Sequence, residues 1–292
     1  MYDIVLNDAV LLFCDGFIKC RDDKIDCTIC LNIDEKRTRS DGDNRLVRYL
    51  NNDRFKCLIC DSEAVYQKKE MIADLYISLN DLVGSSGKTN YNIIYFLLTE
   101  VLTRLLIEGG FCAYHASSIS LNGKAIVFIG ESMSGKTTLS LKLASKGYHY
   151  LGDDRVFVRN GQVYSYPKPI HISHDVRSFF EEGYSNINKK GKSYVPFSKY
   201  ITNQYCISHA KIESIFLICN EEGFKKSFVK NLRGLVYGLN SLFYCEEELP
   251  LLLDSIIEMD KIPVYIFKNH YCDAQIEEIN LMIKEMIGCK AI

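Results

Sequence analysis

Gly130-Glu-Ser-Met-Ser-Gly-Lys-Thr-Thr138 is the stretch on which the reading of this chain turns. It contains the full octet G-x-x-x-x-G-K-[ST], whose glycines let the backbone curl until several consecutive N–H groups point at one anion. The residues expected around phosphate oxygens are Gly130, Ser132, Met133, Ser134, Gly135, Lys136, Thr137 and Thr138. Lys136 brings positive charge to the β- and γ-phosphates of a nucleotide, and the Thr137 hydroxyl is a candidate Mg²⁺ ligand. The loop opens a helix, so the positive end of the helix dipole faces the anion.

The flanks suit this reading. Ala125–Ile129 is a short apolar run rich in β-branched residues, as a buried strand should be. Downstream, residues 138–146 put Leu139, Leu143 and Ala144 on one helical face, and Gly147 follows as a C-terminal cap. A second Gly-Lys-Thr ends the run Gly84–Thr89, but Leu82 occupies the place of the first glycine and no apolar strand leads into it. That run is expected to be a polar loop.

Bulk properties narrow the function classes. The chain has 292 residues, enough for one large domain or two smaller ones, and a net charge of −2. Such a balance offers no broad basic surface, so no nucleic-acid partner is expected. Val10–Phe13 is too short for a signal peptide, and the apolar helix expected over Tyr91–Gly109 carries Glu100, Arg104 and Glu108. It is read as a core helix, with no membrane partner and a cytoplasmic location. Twelve cysteines include two Cys-x-x-Cys pairs, Cys27/Cys30 and Cys57/Cys60. Both lie in strand-like text, where positions i and i+3 point to opposite faces, so free thiols are expected rather than a zinc site.

Along the chain, residues 1–90 are expected to form an antiparallel β-rich region and residues 91–292 the catalytic domain. Strands are expected at Tyr2–Leu6, Val10–Lys19, Cys27–Ile33, Phe55–Ile59 and Ala73–Leu79, with Asp34–Arg54 a loop-rich excursion. Later elements are strands at Ile212–Cys219 and Pro263–Phe267 and helices at Phe228–Phe243, Leu249–Met259 and Ala274–Ile287.

Two hairpins frame the chemistry. Asn122-Gly123 joins the strands Ser117–Leu121 and Lys124–Ile129, and extending that register puts His115 opposite Gly130, at the mouth of the loop. Asn160-Gly161 joins Val156–Arg159 to Gln162–Tyr166. Just before this second hairpin stand Asp153 and Asp154, after a short apolar strand. Neighbouring strand residues face opposite sides, so the two carboxylates are expected to do different work. Near a γ-phosphate, one acid should hold Mg²⁺ and another should accept a proton from an attacking hydroxyl. Beyond the hairpin, Lys168, His171, His174 and Arg177 are candidates to meet an anionic substrate, and Asn188–Ser193 is a basic loop that would suit a lid.

His115-Ala-Ser117, the phosphate loop and Leu151-Gly-Asp-Asp-Arg-Val156 together resemble the core of HPr kinase/phosphorylase. They are still more similar to the smaller HPr-kinase-like proteins that act on peptides, lasso-peptide serine kinases among them. The resemblance covers residues 112–172 well and the C-terminal third loosely. It implies an α/β fold with a phosphoenolpyruvate-carboxykinase-like mixed sheet rather than a doubly wound parallel one. It also implies that Asp154 is the general base, that Asp153 and His115 organise metal and phosphates, and that Thr137 and Asp153 are the metal ligands. The Ile-Arg-Gly signature of true HPr kinases is missing, Arg233-Gly234 being a faint echo in another context. The carboxykinases' oxaloacetate-binding framework has no counterpart.

The resulting expectation is an ATP- and Mg²⁺-dependent kinase acting on a hydroxyl, serine first, of a peptide or protein. Lys136, His115, Asp153 and Asp154 would form the catalytic set. A small-molecule kinase and a nucleotide-switched peptide-binding module are the alternatives. A homo-oligomer is compatible with the sequence.

Overall fold

The computed structural model describes residues 10, 28–34, 47–51, 53–83, 91–173, 192–195, 209–219, 236, 240, 243–244, 248–268 and 273–288. Two units emerge, residues 1–108 with 169–196 and residues 109–168 with 197–292. The decoy run 84–89 and the expected strand 2–6 lie outside the described residues. So do His174, Arg177, Arg233-Gly234 and most of the basic loop and of the expected helix 228–243. Of the expected strand 10–19 only Val10 is described, and it is helical.

The first unit contains β1 (Thr28–Asp34), β2 (Val47–Asn51), β3 (Arg54–Ile59), β4 (Ser62–Gln67) and β5 (Ile72–Ser78), in the order β1-β5-β4-β3-β2. Pairings from β2 to β5 are antiparallel, but β1 runs parallel to β5, so the region is mixed and not purely antiparallel as expected. A parallel pair needs a long crossover, and here the connection contains three other strands. Nor is 34–54 simply an excursion: β2 lies inside it and pairs along its whole length with β3. Helix α1 (Asn92–Glu108) follows the expected span. Ile94, Leu97 and Val101, spaced three and four apart, are completely buried in one cluster with Tyr66, Leu75 and Ile77 of the sheet. Each such side chain contributes about 1.5–3 kcal/mol. That outweighs the cost of carrying Arg104 inward, where it is ion-paired to Glu108 at 3.3 Å. Cys57 is buried in β3, whereas Cys60 sits in the next turn at φ 52° and not in the strand; neither is in a disulfide.

The second unit is built round a mixed sheet of eight strands. In chain order come β6 (Cys112–Tyr114), β7 (Ala116–Leu121) and β8 (Lys124–Gly130), then α2 (Lys136–Ala144), β9 (His149–Asp153), β10 (Val156–Arg159) and β11 (Gln162–Tyr164). An antiparallel ribbon of the first unit, β12 (Ile170–Ser173) and β13 (Lys192–Val195), precedes β14 (His209–Cys219), α3 (Leu249–Met259), β15 (Val264–Lys268) and α4 (Asp273–Ile287). Both Asn-Gly hairpins form, with φ of 52° and 74° at Asn122-Gly123 and 52° and 67° at Asn160-Gly161. The β7–β8 register is the expected one, Leu121 facing Lys124 and Ala116 facing Ile129.

Strand β14 organises this sheet. One edge runs parallel to β8, while the other carries β11 at its start and β15 along its last residues. The order is β6-β10-β11-β14-β8-β7-β9, with β15 also on β14. Apolar side chains of β8 and β14, including Val127, Ile129, Ile215 and Leu217, form the core with Leu252, Ile256 and Met259 of α3. Strand β9 carries an extra residue, because Ser118 pairs with Gly152 but Ile119 with Tyr150. This bulge at Leu151 resets the alternation just before the acidic pair and brings Asp153 opposite Ser117. No described helix is long and apolar enough to cross a membrane.

Candidate functional site

The loop 130–138 leaves β8 where Gly130 lies beside Ile218 of β14. A Cβ on Gly130 would meet Ile218 O at 2.6 Å and Ser134 Oγ at 2.7 Å, so only glycine fits. The loop then tightens through a bond from Ser134 N–H to Glu131 O at 3.2 Å. Met133 and Gly135 adopt φ of 66° and 89°, the latter as N-cap of α2. Ser132 and Met133 are exposed, Met133 by 81%, whereas Ser134, Lys136 and Thr138 are buried and Gly135 and Thr137 lie between. The Lys136 ammonium donates to the carbonyls of Gly130 and Glu131 at 2.9 and 2.7 Å, along the inside of the bend. The first turn of α2 is anchored by Ser117 of β7, whose hydroxyl donates to Lys136 O at 3.1 Å and lies 2.7 Å from Ser140 Oγ.

The two acids part company at Asp154, whose φ of 63° is left-handed. Aspartate tolerates this region better than most residues. Asp153, still in β9, is buried and accepts the Thr137 hydroxyl at 2.9 Å to both carboxylate oxygens. Asp154 turns instead toward His115 Nδ1 at 3.3 Å and toward the Lys168 ammonium and an Arg155 guanidinium nitrogen at 3.8 Å each. Its side chain remains 46% exposed, within reach of solvent or an incoming group.

Electrostatics divides them further. Burial raises the Asp153 pKa, helped by the charge of Asp154, and the opposing pull of Lys168, Thr137 and Lys136 does not cancel it. For Asp154 burial pushes upward too. The hydrogen bond from His115 and the charges of Lys168 and Arg155 outweigh it and hold the carboxyl well below the ordinary range. The two adjacent carboxyls are therefore shifted in opposite directions, Asp153 upward and Asp154 downward.

His115 sits in the bend between β6 and β7, and its main-chain N–H donates to Asn240 Oδ1. Asn240 is buried and anchored in turn by its amide to Val236 O. Tyr244 hydrogen-bonds both main-chain groups of Ala113, and Phe243 lies under the Arg155 guanidinium at 3.8 Å. Sequence reasoning assigned no role to Asn240, Phe243, Tyr244, Ser117 or Ser140. Asn240 is 125 positions from His115, and no local pattern signals such a pairing. The sequence presents Lys168 only as a candidate anion contact; its approach to Asp154 is tertiary.

All the expected loop residues thus belong to one bend, with Asp153 beside it at Thr137 and Asp154 held with His115. For a divalent ion the Thr137 hydroxyl and the Asp153 carboxylate are hard oxygen donors of the type Mg²⁺ prefers, two protein ligands leaving room for phosphate and water. Among the described residues no group of three or more His, Cys, Asp or Glu is arranged to hold a metal by itself.

No protein-family model and no curated protein matches this sequence. Among solved structures, the chain is similar to the HPr(Ser) kinase/phosphatase from Coxiella burnetii at 14% identity and a TM-score of 0.36. That match covers 59% of this chain and 88% of the other. The likeness is distant and structural.

Proposed function

We propose that this chain is an ATP- and Mg²⁺-dependent kinase with an HPr-kinase-like core, transferring the γ-phosphoryl group to a hydroxyl of a peptide or protein, serine being the expected acceptor. The observation that carries this reading is the division of labour between adjacent acids: Asp153 on the Thr137 hydroxyl and Asp154 with His115. A simple nucleotide-binding loop needs the first arrangement but has no use for the second.

In this reading the loop amides and Lys136 hold the triphosphate, while Thr137 and Asp153 hold Mg²⁺, which when bound neutralises charge on the phosphates. Asp154 is the acceptor-facing group, being both exposed and ionised. Its carboxylate receives the proton of the attacking hydroxyl as the new P–O bond forms and the bond to the β-phosphate oxygen breaks, releasing ADP. So low a pKa makes Asp154 a weak base. The phosphoryl-transfer transition state is loose, however, and asks more for orientation than for base strength. His115, seated by Asn240, fixes the direction of that carboxylate.

The test is γ-labelled ATP with candidate peptides, followed by mass-spectrometric mapping of the modified residue. Label on a serine with wild-type protein, lost in Lys136→Ala and Asp154→Asn, supports the proposal. Label on a small metabolite with none on peptide would replace the acceptor assignment. Binding of ATP without transfer to any hydroxyl would remove the kinase reading.

A further inference from the structure

Lys168 is a buried lysine, its side chain 6% exposed, whose ammonium stands 3.8 Å from Asp154 Oδ2. That spacing exceeds hydrogen-bond reach, and no hydrogen bond from this ammonium occurs among the described residues. A buried ammonium with three donors, close to the charges of Asp154 and Asp153 but hydrogen-bonded to neither, is costly to keep. Its main chain, by contrast, is tightly seated. Lys168 N–H donates to Tyr166 O at 2.9 Å across Pro167, and Tyr166 N–H donates to Leu151 O of β9 at 2.7 Å. The Tyr166 ring packs edge-on against Phe157 at 4.9 Å. Prolines on both sides restrict the backbone further. A rigid seat anchored two residues before Asp153 therefore presents a long cationic side chain, its ammonium without a hydrogen bond among the described residues, beside the half-exposed acid.

Lys168 helps to neutralise Asp154, but it is one of three cationic or proton-donating groups that face that carboxylate. His115 lies nearer to Asp154, and Arg155 is as close as Lys168, stacked on Phe243. Where an acceptor hydroxyl meets Asp154, the phosphoryl group in transfer lies one bond further on. We propose that Lys168 is a phosphate-contacting residue that leaves Asp154 for a non-bridging oxygen of the transferring phosphoryl group, complementing Lys136 of the loop. This inference rests on the kinase reading and gives that site a second cation for the charge developing on the transferred group.

The test compares calorimetric binding of Mg²⁺-ATP and Mg²⁺-ADP, without acceptor, in wild type, Lys168→Met and Lys168→Arg. A charged hydrogen bond to the γ-phosphate predicts that Lys168→Met weakens ATP binding roughly 10-fold or more. ADP affinity should stay within about 2-fold, as expected when only the γ-phosphate contact is lost. Lys168→Arg should restore part of the ATP preference, and both variants should melt cooperatively like wild type. Equal losses for ATP and ADP, or an unchanged preference in Lys168→Met, would make Lys168 structural and overturn the inference while leaving the kinase reading intact. If Lys168→Met does not melt cooperatively, the arginine variant decides by the same ratio. Wild-type protein that binds neither nucleotide would overturn both.

Discussion

Thr137 and Asp153 are joined by one hydroxyl donated to both carboxylate oxygens at 2.9 Å, across 16 positions of sequence. The contact ties the first turn of α2 to the end of β9 and brings together the two residues proposed above as Mg²⁺ ligands. Thr137→Val keeps the shape and removes the oxygen. It should lower phosphoryl transfer by about 10–100-fold and raise the Mg²⁺ concentration needed for half-maximal rate. A Mg²⁺ titration of initial rates measures this, and an unchanged half-maximal concentration would remove Thr137 from the metal site.

The adjacent acids should respond in opposite directions to neutralisation. Asp153 has a raised folded-state pKa, so its ionised form costs stability above the unfolded value, and the penalty disappears as pH falls through the folded pKa. Asp154 has a lowered one, so it contributes stability above the unfolded value, lost as pH falls through its folded pKa. At pH 7, Asp153→Asn should therefore raise the Tm of the metal-free protein and Asp154→Asn should lower it. Both should abolish turnover, and Asp154→Asn should leave nucleotide binding intact. Melting curves between pH 3 and pH 8 test this; parallel shifts of the two variants at pH 7 would contradict the assignment, as would full activity in Asp154→Asn.

The hydrogen bond from His115 is the strongest influence lowering the Asp154 pKa. Removing it in His115→Ala should move the acid limb of the kcat/KM profile to higher pH, because Asp154 then protonates sooner. A pH profile with identical acid limbs in both proteins would disconnect the histidine from the base.

At Gly130 the prediction is steric. In Gly130→Ala, a Cβ 2.6 Å from Ile218 O forces the strand or the loop to shift. Overpacking of this kind costs about 1–3 kcal/mol, and the loop amides lose their convergence. Chemical denaturation and ATP binding should both deteriorate. Wild-type affinity in this variant would show that the bend tolerates displacement.

Local chemistry by itself determined the glycine bend before α2, α2 itself and both Asn-Gly hairpins. Spacing of Gly130, Gly135, Lys136 and Thr137 specifies a backbone path, and Asn-Gly dipeptides supply two consecutive positive φ angles whatever surrounds them. The hairpin register followed from the turn, from Leu121 facing Lys124 to Ala116 facing Ile129. Strand alternation leads to the expectation that the two neighbouring acids diverge, but the structure separates them by ending β9 at Asp153 and turning Asp154 to a φ of 63°.

Tertiary structure alone decided the rest. The parallel partnership of β1 with β5, the position of β14 between β8 and β11, and the bulge at Leu151 arise from contacts distant in sequence. So do the seat of His115 on Asn240 and the approach of Lys168 to Asp154. A single chain records its own dihedral preferences and periodicities at each position. Which buried side chain meets which is set by the packing of whole elements, and only that packing made one aspartate a partner of Thr137 and the other a partner of His115.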